Sequence, residues 1–169
     1  VSTDLEIRQY PADNDERLIF FTRGVMETVK KLRWEPMVVH CSGWVTALSP
    51  LYLKKIYGDD PTVGRAKVVY ALYNDPFEGT LDPRFATKLQ LDQIDPADIA
   101  ALGTDPVDWA TLNRLAIDHA DGVIVAQQGV DPALVEYARA KGIPVLDIAA
   151  GDDPAAIDAA PVIEFYNNL

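Results

Sequence analysis

Residues 36–44, Pro36-Met37-Val38-Val39-His40-Cys41-Ser42-Gly43-Trp44, decide how this sequence is read. The apolar run Met37-Val38-Val39 is too short for a helix. It is β-branched and bounded by proline on one side and glycine on the other, so it reads as a buried parallel strand ending at His40. On its amino side, residues 15–33 carry Leu18, Phe21, Val25, Val29 and Leu32 at three-to-four spacing, which predicts a long helix with that stripe buried. On its carboxyl side a helix over 45–57 is expected, with Leu48, Tyr52 and Ile56 on one face and Gly58 at its end. The alternation then repeats. Strands are expected at 67–72, 122–126 and 144–148, with helices at 107–120 and 131–141. Short helices broken by Asp-Pro pairs fill 80–104, and a last helix follows Asp153. Strand alternating with helix predicts an α/β, Rossmann-like, doubly wound parallel sheet.

The composition sets bounds on function. A chain of 169 residues supports one domain with a real core, and 49% of it is hydrophobic. The formal charge of −11 argues against a nucleic-acid partner, which needs clustered lysine and arginine. No apolar run approaches the length of a membrane span. One cysteine and two histidines give neither a disulfide framework nor a thiolate zinc cage, so a reducing, cytoplasmic setting and no metal are expected. The chain opens on Val1 in an extended-looking stretch, as a continuation of upstream sequence would. Asp-Pro recurs at 60, 75, 82, 95, 105, 131 and 153, and most of these pairs read as helix starts.

In such a sheet, ligands bind at the carboxyl ends of the strands. That rule selects residues 40–44, 73–79 and 127–131. His40 can bond a sugar hydroxyl or satisfy strand-end backbone. Trp44 can stack on a sugar ring or cap the next helix against the sheet. Asn74 and Glu78 can bind hydroxyls, or Asn-Asp-Pro-Phe-Glu-Gly can be turn chemistry alone. Asp13 and Glu16 stand at capping-box spacing, with Arg17 beside them. Cys41 reads as an inert apolar residue and His119 as a core-edge histidine. No dinucleotide or Walker glycine loop follows any strand, and the nucleophile-elbow motif is absent.

The same segments resemble a known family. Trp34-Glu35-Pro36-Met37-Val38-Val39-His40-Cys41-Ser42-Gly43-Trp44-Val45-Thr46-Ala47-Leu48, with Pro50-Leu51-Tyr52-Leu53 after it, is similar to the W-x-P-D…H-x-H-D/G-W-x-x-A-L…P-x-Y-L signature of bacterial glycogen synthases and plant starch synthases. Asp13-Asn14 with Arg17 resembles their D-N-x-x-R-F stretch. Tyr73-Asn74-Asp75-Pro76-Phe77-Glu78-Gly79 sits where they carry H-N-x-x-Y-Q-G. Leu112-Asn113 through Ala120-Asp121-Gly122-Val123 resembles L-N…Y-A-D-x-V. The wording is similar in particular to the short synthase-like proteins of the Bacteroidetes group.

The resemblance implies one half of a GT-B fold, the half that holds an α-glucan or malto-oligosaccharide acceptor. It implies transfer of glucose from ADP-glucose without a cofactor, and ADP-glucose as a partner only if a donor domain is supplied. It points to His40, Trp44, Asn74, Phe77, Glu78, Asp13 and Arg17 as substrate-binding residues. On this reading residues 1–169 form a single partial domain without the first βαβ portion, its glycine-rich loop, or the donor half. Ser42, Gly43, Val45 and Tyr73 replace residues of the family pattern: His, a frequent Asp, a His and a His. Two functions therefore stand side by side: a glucosyltransferase domain, and a noncatalytic glucan-binding or regulatory module with the same fold. A purely structural fragment without a ligand is a third reading.

Overall fold

A computed structural model describes residues 13–149 and 159–169. Four parallel strands form one sheet in the order β1-β2-β3-β4: β1 Val38–Ser42, β2 Lys67–Leu72, β3 Gly122–Val125 and β4 Val145–Asp147. Around them lie α1 Asn14–Leu32, α2 Ser49–Lys55, α3 Phe85–Leu91, α4 Trp109–Asp118, α5 Pro132–Ala140 and α6 Ala159–Asn167. Two 3-10 segments, Trp44–Thr46 and Pro96–Leu102, complete the described elements. The expected helix over 45–57 is thus a 3-10 turn followed by a shorter α-helix. The helix expected from Asp153 is described from Ala159, and Asp153 itself lies outside the described residues.

Strand alternation splits the core in two. Val68, Tyr70 and Leu72 of β2 and Val123 and Val125 of β3 face a large cluster built with α1, α2, α4 and α5. Val69, Ala71 and Ile124 face the other way and are covered by Val162, Phe165, Tyr166 and Leu169, in and just after α6. Helices on both faces of a parallel sheet make this the α/β, Rossmann-like fold expected from sequence, consistent with one half of a GT-B fold. The strand order follows the chain without reversal among the described residues. What the fold supplies is therefore a carboxyl edge where three strand-to-helix loops meet.

Local chemistry explains most boundaries. Asp95 and Asp131 accept hydrogen bonds from the Ala97 and Ala133 amides, with proline following each, as Asp-Pro helix starts should. Asp108, not Asp105, caps α4 through the Thr111 amide. Asp60 instead builds a turn around Thr62. The pair at 153 lies outside the described residues. His119 is a core-edge residue: it is half-buried, and its Nε2 lies 2.7 Å from the Asp98 carbonyl. Tyr70 is wholly buried and donates to Asn113 Oδ1 at 2.7 Å, which ties β2 to α4.

Three expectations need correction. The buried stripe of α1 is Leu18, Thr22 and Met26 with Asn14 and Asp15 at its start, while Phe21, Val25 and Leu32 face solvent. Apolar residues occur on more than one side of this helix. The packed side also carries Asp15, whose carboxylate meets Lys88 of α3 at 2.5 Å. Second, the capping box does not form. The Asp13 side chain makes no cap hydrogen bond and pairs with Arg17 at 2.8 Å, and Glu16 turns to Lys88. Third, β1 does not end at His40. It runs on to Ser42, paired opposite Ala71. Among the described residues β1 lies at the edge of the sheet, and His40 and Ser42 on one of its faces are exposed, so a polar residue there does not signal the strand's end.

Candidate functional site at the carboxyl edge

The first edge loop begins where β1 stops. The Gly43 amide donates to the Ala71 carbonyl at 3.0 Å, and Gly43 holds φ +69, a region that favours glycine. Space makes the same demand. A Cβ at position 43 would lie 2.4 Å from Asp75 Oδ2. The Asp75 carboxylate then holds three elements together: Oδ2 accepts from the Trp44 amide at 3.3 Å, and Oδ1 accepts from the Trp109 indole at 3.3 Å. Burial pushes the Asp75 carboxyl above its ordinary range, and the two donors pull the other way.

Asp75 was not among the residues singled out from sequence. It stands in the Asn-Asp-Pro-Phe-Glu-Gly segment, which reads as turn chemistry. The available signal was that Gly79 and Pro83 follow Pro76 closely and interrupt any helix there, so this carboxylate needs another partner.

The second and third loops meet directly. The Asn74 amide donates to Gln127 Oε1 at 3.2 Å. Gly129 allows the Asn74 side chain to approach so closely that a Cβ there would lie 2.9 Å from its Nδ2. Beside this junction a crevice of 270 Å³ is lined by Gln127, Gln128, Glu136, Arg139 and Asp147. Glu136 and Arg139 form an exposed ion pair at 2.7 Å. The groups offered at this edge are amides, carboxylates and the Arg139 guanidinium, which donate to and accept from neutral hydroxyls. Among the described residues, no group of three His, Cys, Asp or Glu side chains is placed to hold a metal ion.

The residues picked from sequence are not all brought together. Asn74 and Glu78 are exposed in the second loop, at the edge. Trp44 and Phe77 lie there too, but they pack on each other edge-to-face at 5.0 Å and are 8% and 6% exposed. Neither presents a ring face for stacking, so Trp44 takes the packing role that was its alternative. His40 points to the opposite sheet face, where its Nδ1 hydrogen-bonds the Tyr166 hydroxyl of α6. The two rings meet edge-on at 6.0 Å. Desolvation lowers the His40 pKa below its usual value. Asp13 and Arg17 pair with each other at the first turn of α1. Cys41 is buried, and burial pushes its thiol up to about 12, which removes it as a nucleophile.

Similarity to known proteins falls on these same segments. Residues 4–130 match the starch synthase catalytic domain family, a span that contains all three edge loops through Val130. A glycogen synthase of Thermotoga petrophila is 40% identical over 73 residues, covering 43% of this chain and 15% of that protein. One from Geotalea daltonii is 37% identical over 84 residues, covering 50% and 17%. One from Chlorobium luteolum is 34% identical over 95 residues, covering 56% and 19%. The matched segments thus span less than a fifth of these relatives. With the family model covering well over half of its residues, this chain belongs to the starch synthase catalytic domain family.

Proposed function

We propose that this chain is the acceptor-side part of a glucosyltransferase of the glycogen and starch synthase type, and that it holds an α-1,4-glucan at the carboxyl edge of its sheet. The observation that carries this reading is the convergence of the Gly43–Trp44, Tyr73–Gly79 and Gln127–Val130 loops, all inside the family match, through Asp75 and the Asn74–Gln127 hydrogen bond. In this reading Asn74, Glu78 and Gln127 read sugar hydroxyls. Trp44 and Phe77 form the rigid floor beneath them. His40, turned toward α6, is left out, as are Asp13 and Arg17 on α1. ADP-glucose is the donor of the whole enzyme, residues 1–169 are one partial domain of it, and a cytoplasmic location goes with that chemistry.

A noncatalytic glucan-binding role is the second reading, and one observation favours it. The family pattern often carries an aspartate at position 43, where this chain has glycine. Here the Asp75 carboxylate fills the space a side chain at 43 would need. A carboxylate thus remains at this point of the edge, but it is tied down by Trp44 and Trp109. That suits a holding role better than a reacting one.

Retaining transfer depends on positioning donor and acceptor together. The chain should therefore co-sediment with glycogen and incorporate no label from radioactive ADP-glucose. Incorporation at roughly 1 per second or faster would overturn the acceptor-only reading. Failure to co-sediment would overturn glucan binding itself.

A further inference from the structure

The outward side of α1 is the most apolar exposed surface among the described residues. Phe20 is 76% exposed and Trp34 61%, and Phe21, Val25 and Leu32 are exposed beside them. Two grooves flank Phe20 and Gly24. One of 570 Å³ is lined by Phe21, Val25, Thr28 and Trp34, and one of 420 Å³ by Glu16, Ile19, Arg23 and Glu27. Such a patch on a soluble domain marks an interaction surface.

We propose that this face is a self-association surface, on which α1 packs antiparallel against α1 of a second copy about a two-fold axis level with Thr22. The argument rests on the order of residues along the stripe. Asp13, Arg17, Phe20, Gly24, Glu27 and Lys31 lie on one side of the helix, at spacings of 4-3-4-3-4. That series is the same from either end. Reversed onto itself, it places Asp13 against Lys31 of the partner subunit, Arg17 against Glu27 of the partner subunit, and Phe20 over Gly24 of the partner subunit. Both charge pairs are opposite in sign. The most exposed aromatic ring meets the one position on the stripe without a side chain, and among the described residues a Cβ at Gly24 has nothing within 4 Å, so the slot is open. A two-fold interface must be self-complementary in this way.

The area also suffices. At about 200 Å² per aromatic side chain, Phe20, Phe21 and Trp34 expose on the order of 350 Å², and Val25 and Leu32 add to it. A specific interface buries about 800 Å² per partner, with about 60% of it apolar. The charge of −11 opposes association at long range, but salt at 0.15 M confines that repulsion to about 8 Å.

Sedimentation equilibrium of the full chain at 0.15 M salt tests this. The expected result is a reversible monomer–dimer equilibrium that Gly24→Lys weakens at least 30-fold. The Cβ that Gly24→Lys adds meets no other atom within 4 Å among the described residues, so an unchanged far-UV spectrum and melting curve are expected with it. The register has its own test. Asp13→Cys and Lys31→Cys variants should cross-link when mixed and not when alone, because like positions sit about 27 Å apart along antiparallel helices. A chain that stays monomeric to 1 mM overturns the proposal. So does a dimer that Gly24→Lys leaves intact, or cross-linking of each cysteine variant with itself.

Discussion

Trp44→Ala is expected to destabilise the chain by about 3–5 kcal/mol, the usual cost of removing a buried aromatic side chain. Trp44 heads the 3-10 turn after β1, packs edge-on against Phe77, and joins the main core cluster. Its removal leaves a cavity at the place where the first two edge loops meet, and that backbone is held by hydrogen bonds that a cavity cannot replace. Urea unfolding followed by circular dichroism measures the change. A loss below about 1 kcal/mol together with weakened glucan binding would instead mean that the ring faces sugar.

Lys88→Met is expected to cost a similar amount, about 3–5 kcal/mol, for a different reason. Asp15 is fully buried at the start of α1; one of its carboxylate oxygens meets Lys88 at 2.5 Å and the other has no hydrogen-bond partner. Lys88 also reaches Glu16 at 2.9 Å and Asp82 at 3.3 Å, and these acidic neighbours hold its ammonium well above the usual lysine range. Methionine keeps the volume and removes the charge, leaving the Asp15 carboxylate buried without a counter-charge. The double variant Asp15→Asn with Lys88→Met should recover much of the loss, since the two residues act as a pair. Equal losses in the single and double variants would show that Lys88 matters through packing alone.

These residues also show where sequence reasoning stops. The alternation of strands and helices is legible because parallel strands must be apolar runs and helices must be amphipathic. Their positions follow within a few residues. Which side of α1 packs is not legible. Phe21, Val25 and Leu32 form as good a stripe as Leu18 and Met26, and the packed side depends on partners distant in sequence, such as Lys88, which lies 73 residues from Asp15. Edge position has the same character. His40, Trp44 and Phe77 lie at or beside the loops that the carboxyl-end rule selects. Only the folded chain reveals that one turns to α6 and that the other two bury each other. Asp75 is the converse case: read as turn chemistry, it is the residue that joins β1's loop to α4.

The central claim, that a glucan lies across the carboxyl edge, is tested most directly by residue-resolved NMR titration of the chain with maltoheptaose. The account predicts shifts confined to Gly43–Trp44, Tyr73–Gly79 and Gln127–Val130. It also predicts binding weakened by roughly 2- to 10-fold in Asn74→Ala, the equivalent of about 0.5–1.5 kcal/mol for one lost hydrogen bond to a neutral hydroxyl. Shifts gathered around His40 and α6, or none at millimolar sugar, would contradict it.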